Sequence, residues 1–153
     1  MSKDSKFYVP SIEEFHVGFE YEEYQAGSGD DYEAQAYSLG SPFITNIYRD
    51  NLQEGWIRVK LLDREDIESL GWKFFPQENW NEHQGDRWWN GFTKGGYVLK
   101  ECAAWEQGNI VVFRVNTNDR TFEGEVIRKE ECIFNGHIKN KSELKRVLKM
   151  LGI

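Results

Sequence analysis

The chain has 153 residues, 39% of them hydrophobic and 15% aromatic, with a formal net charge of −7. Its length fits one domain, spanning 1–153, with a core large enough to form without disulfides or structural metal. The acidic balance argues against generic binding to nucleic-acid backbone, which requires clustered Lys and Arg to displace counterions.

Cys102 and Cys132 are the two cysteines, far apart and without a CxxC partner, which reads as two reduced thiols in a reducing compartment. No N-terminal apolar segment resembles a signal peptide, and no stretch approaches the about eighteen apolar residues that a membrane span requires. These features lead to an expectation of a cytoplasmic protein with no membrane association.

Residues 1–10 are expected to fray. From Glu14 to Tyr24 the pattern alternates, Phe15, Val17, Phe19 and Tyr21 against Glu14, His16, Glu20 and Glu22, as in a half-exposed strand. Ala26 to Asp31 reads as a turn, and the weakly patterned stretch onward to Leu39 as irregular. After Pro42, the residues Phe43, Ile44, Ile47 and Tyr48 suit a short strand.

Trp56 to Leu62 reads as a strand leading into a short helix. Asp63 is placed to accept backbone N–H bonds, Asp66 sits in the positive first turn, and Gly71 follows the last helical residue. Between Gly71 and Gly91 no regular period fits, and 76–95 reads as an aromatic-rich irregular insertion. Trp72, Phe74 and Phe75 are expected to anchor it in the core. Gly91 to Gly96 superficially suggests a phosphate loop but lacks its spacing and leads into a strand.

The remainder reads as an antiparallel meander over Tyr97–Cys102, Ile110–Val115, Phe122–Arg128 and Cys132–Ile138, broken at Gly108-Asn109 and at Asn116 to Asp119. In the last segment Leu144, Val147, Leu148 and Leu151 share one helical face, with Asn140 and Glu143 as a capping box and Ser142 as a rival cap. The expected fold class is α+β, an antiparallel sheet with two short helices, the C-terminal one packed on the sheet.

No GxSxG, Walker-type, GxGxxG or HExxH motif occurs, so no catalytic constellation is legible. His16, His83 and His137 are scattered singly. Trp80, His83, Arg87, Trp88 and Trp89 could stack a planar ring or a sugar, with Arg87 able to grip a phosphate or carboxylate as a fork. Glu20 and Glu22, on the acidic strand near Asp30, Asp31 and Glu33, could meet a basic partner, although the spacing does not make a calcium loop. No catalytic residue, metal ligand or cofactor is assigned.

Ile12 to Tyr21, Ile57 to Trp72 and Phe134 to Leu151 carry a resemblance to small uncharacterised proteins encoded by phages of gut bacteria, covering the beginning, centre and end of the chain. The resemblance implies context: an intracellular protein made during infection. No activity is attached to that family. The resulting expectation is a non-enzymatic accessory binding protein that sequesters a small host molecule or blocks a host protein. The rival reading is a virion-associated or structural protein making homotypic contacts as a homo-oligomer.

Overall fold

In the computed structural model the described residues are 6–24, 32–38, 56–75, 89–102, 108–120, 123–124 and 126–153. Their elements are the strands β1 (Phe7–Tyr8), β2 (Glu20–Tyr24), β3 (Tyr32–Ala36) and β4 (Ile57–Lys60), then helix α1 (Arg64–Ser69), then β5 (Lys73–Phe75), β6 (Trp89–Lys94), β7 (Tyr97–Cys102), β8 (Asn109–Arg120) and β9 (Val126–His137), and helix α2 (Lys141–Leu151). This is the expected α+β class, with two antiparallel sheets where one meander was expected. Two compact units share the chain: residues 1–61 with 140–149, and residues 62–139 with 150–153.

The first unit holds a four-stranded sheet of order β1-β4-β2-β3. Strand β4 explains its two faces, because Ile57 and Val59 are buried while Arg58 and Lys60 alternate with them. Phe19, Tyr21, Ile57 and Val59 form the core, with Tyr8, Phe15 and Tyr37 packed against it. The expected strand from Glu14 is corrected here. Ile12–Glu14 is a 3-10 turn and pairing starts only at Glu20.

The reason is that Gly18, at φ +86, turns the chain, so the alternation cannot continue through it. Phe15 curls back to lie 4.8 Å from the Phe19 ring and 5.5 Å from that of Tyr21, while Val17 is left 60% exposed. His16 therefore sits in this turn, off any strand. Two further expectations change. Phe7-Tyr8, placed among frayed residues, pair with β4, and Tyr32–Ala36, placed in an irregular stretch, form β3. The expected strand near Phe43 lies outside the described residues.

Helix α2 joins this unit from the far end of the sequence. Leu144 and Leu148 are buried, and Asn140 wins the cap, its Oδ1 accepting from Glu143 N at 2.9 Å. The rival Ser142 has another role: its Oγ accepts from Glu20 N at 2.9 Å. Asn140 Nδ2 donates to Tyr8 Oη at 2.8 Å, and that hydroxyl donates to Glu14 Oε2 at 2.8 Å. Burial, with the Glu14 hydrogen bond, pushes the Tyr8 phenol well above its ordinary range, so it stays a neutral donor.

The second unit holds a five-stranded meander of order β5-β6-β7-β8-β9. Its register aligns Phe74, Phe92, Leu99, Val112 and Phe134 across one face. Trp72, Ile67 and Ile110 are also buried. Helix α1 carries the expected cap as a full capping box: Asp66 N donates to Asp63 Oδ1 at 3.0 Å and Asp63 N to Asp66 Oδ2 at 3.4 Å. Lys94 Nζ then binds Leu70 O at 3.0 Å, where a cation complements the helix end.

Three expectations about the meander also change. Strand β6 begins at Trp89, inside the stretch read as irregular, and a Cβ at Gly91 would come within 2.6 Å of the Phe75 ring, so this glycine is what lets β5 and β6 pack. The two strands read at Phe122–Arg128 and Cys132–Ile138 are one, β9, paired along β8. Asn116 to Asp119 is accordingly a bulge in β8, Thr117 and Asn118 lying between the paired positions Asn116 and Asp119, where turn-forming residue types suggested a loop.

Tyr8→Phe is expected to destabilise the protein by about 1–3 kcal/mol in urea unfolding, because Asn140 and Glu14 both lose a part-buried partner. Glu101, half-buried on β7, has its carboxyl pushed above the ordinary range by burial and by the nearby Asp63 charge, against a lowering hydrogen bond from Asn90. A raised folded-state value means the folded chain holds its proton longer, so stability declines as pH rises from the ordinary carboxylate range through that value. Glu101→Gln should therefore raise the melting temperature at neutral pH, with the gain vanishing below pH ~4.

Candidate functional site

The face of the four-stranded sheet opposite its core presents Phe7 from β1, Arg58 and Lys60 from β4, Glu22 and Tyr24 from β2, and Tyr32 from β3, because side chains alternate along each strand. Register sets Glu22 directly opposite Arg58 and Tyr24 opposite Tyr32. Trp56, just ahead of β4, joins them through Tyr24 N, which donates to Trp56 O at 2.8 Å.

Arg58 is the centre of this face. Its guanidinium carbon lies 3.9 Å from the Phe7 ring centroid and 3.7 Å from that of Tyr32, and its Nε donates to Glu22 Oε2 at 2.6 Å. A planar delocalised cation can stack between two rings and bind a carboxylate in its own plane at the same time, which an ammonium cannot do. Tyr24 extends the stack, its ring 5.6 Å from Tyr32 and 6.4 Å from Trp56, both edge-on. Trp56 is 41% exposed, and the Arg58 and Glu22 side chains are 32% and 30% exposed. At that exposure the ion pair alone contributes at most about 1 kcal/mol. Its larger effect is to fix the position of the rings.

Of the residues singled out in the sequence, Glu20 and Glu22 are on β2 and both are matched by cations. Glu20 Oε1 accepts from Lys145 Nζ at 2.6 Å, and Glu22 is paired with Arg58. Trp89 opens β6 opposite Cys102, in the second unit. Trp80, His83, Arg87 and Trp88 lie outside the described residues. The structure thus brings Glu22 to the aromatic face but does not place Trp89 in the same unit.

Phe7, Tyr24, Tyr32, Trp56 and Arg58 were not legible as a site. The usable signal was the alternation Trp56, Arg58, Lys60, whose polar and aromatic face opposes Ile57 and Val59; Phe7 and Tyr32 gave none, Phe7 standing among residues expected to fray and Tyr32 in a stretch read as irregular. Among the described residues no group of three or more His, Cys, Asp or Glu is gathered as a metal site. Glu23 and Glu33 face each other across β2 and β3, and burial, then this neighbour, pushes Glu23 above the ordinary range. No helix among the described residues is long and apolar enough to cross a membrane. Comparison with protein-family models, with curated proteins and with solved structures gives no match for this chain.

Arg58→Ala is expected to lower stability by about 1–2 kcal/mol in urea unfolding, and Arg58→Lys to recover less than half of that loss, since an ammonium cannot fill the slot between two rings. Full recovery by Lys would show that charge alone matters there.

Proposed function

We propose that the chain is a non-enzymatic binding protein that docks on a host protein and blocks it, using the face around Arg58. What carries this reading is the rigid array of Trp56, Tyr24 and Tyr32 held by a stacked, carboxylate-bound guanidinium. Trp, Tyr and Arg are the side chains that dominate protein–protein contacts, because they offer large area with little rotamer freedom left to lose. Fixing them before binding lowers the ordering cost on association.

The same geometry favours the protein-blocking version over capture of a small planar molecule. The slot between Phe7 and Tyr32 is filled by Arg58 itself, so the face offers ring edges and an indole surface. The setting, the cytoplasm of a phage-infected bacterial cell, is the part of the proposal that the resemblance supplies.

The test is affinity capture from a bacterial lysate with the full chain and with Trp56→Ala/Tyr24→Ala, both checked for equal melting temperatures within a few degrees. A protein retained by the parent and weakened at least tenfold by the double change is the expected result, corresponding to about 1.4 kcal/mol or more. Equal retention by both chains would refute the assignment of this face. A rise in melting temperature with nucleotides, absent from the double variant, would instead favour small-molecule sequestration.

A further inference from the structure

Charge is spread unevenly along the chain. Residues 139–149 hold five of its 19 cations, Lys139, Lys141, Lys145, Arg146 and Lys149, and one of its 26 carboxylates, Glu143, so the segment carries +4 against −11 for the remainder. Helix α2 gathers four of the five. With Leu144 and Leu148 buried, the helical period turns Lys145, Arg146 and Lys149 to the exposed side, and no carboxylate of the helix stands among them. Lys145 Nζ lies 2.6 Å from Glu20 Oε1, while Arg146 and Lys149 take no carboxylate among the described residues. Residues 126–153 are described without a break, so the helix and both its flanks are in view.

We propose that this exposed arc docks an acidic helical segment of a protein partner, one whose carboxylates stand a turn apart. Lys145 and Lys149 are four residues apart, about 6 Å along the axis, which matches the spacing of Glu side chains at i and i+4 on a facing helix. Two other anionic surfaces fit less well. A duplex carries one charge per about 1.7 Å, roughly nine along the about 16 Å of α2 and more beyond its ends, where a chain of net −7 repels them. An anionic membrane draws in an amphipathic helix by its apolar side, and in α2 that side is buried. A short acidic segment is instead met within one Debye length, about 8 Å at physiological salt, inside which the nearest charges count most.

This inference does not depend on the proposed function, because none of the arc's residues belongs to the Arg58 face. The full chain is titrated against a fluorescein-labelled helical peptide with Glu at successive i and i+4 positions, read by fluorescence anisotropy. Binding should weaken at least tenfold in Arg146→Glu/Lys149→Glu and again as salt rises to about 1 M, yet stay the same in Trp56→Ala/Tyr24→Ala. Both reversed positions are exposed, so the circular dichroism spectrum should not change. Should the reversal disturb the helix, the neutral pair Arg146→Gln/Lys149→Gln carries the same test, with a loss of about threefold or more. No binding of the peptide up to about 1 mM, or binding indifferent to both double changes, would overturn the proposal. So would tighter binding to a DNA duplex of the same total charge, or sedimentation with phosphatidylglycerol vesicles.

Discussion

The first unit is held closed by polar contacts made across nearly the whole length of the chain. Asn140 reaches Tyr8 and Ser142 reaches Glu20 N, separations of 132 and 122 residues. Each of these groups also has a local duty, Asn140 as helix cap and Glu20 as the first residue of β2. The helix is therefore positioned by the same side chain that starts it, Asn140 Oδ1 capping and Nδ2 reaching Tyr8. A cap that fails removes a tertiary contact as well, so the cost of losing Asn140 should exceed the about 1 kcal/mol usual for a cap.

That closure sets up the open face. With Leu144 and Leu148 buried and Phe19, Tyr21, Ile57 and Val59 sealed as core, the alternate residues of the same strands are committed to the opposite side. Strand pairing then dictates which of them meet. Arg58 finds Glu22 because β2 and β4 pair in that register, and a one-residue slip would send every one of these side chains to the other face. The stack is thus a by-product of the core pattern, with Phe7 and Tyr32 added from the outer strands.

Much of the architecture was legible because it rests on local chemistry. The caps at Asp63 and Asn140, the glycine after α1, the strand at Tyr97–Cys102 and the apolar face of the last helix all follow from short-range pattern. What failed was where alternation is interrupted by geometry that composition does not announce. Gly18 ends an apparent strand, and the bulges at Asn116/Asp119 and Val112/Phe113 let β8 and β9 continue through residue types that usually turn a chain. The site was harder still, since Phe7 and Tyr32 become meaningful only once four strands are ordered β1-β4-β2-β3.

The strands at the sheet margins differ in a way that propensity alone does not explain. β5 and β1 are short, three residues and two, and β5 begins with Lys73. β9 is twelve residues long but carries exposed Lys129, Glu130 and Glu131 and a register shift beside Ile133, the features that discourage another strand from adding. β3, five paired residues long, has neither a basic residue nor a bulge, and its exposed Glu33 is the one charge it sets at that margin.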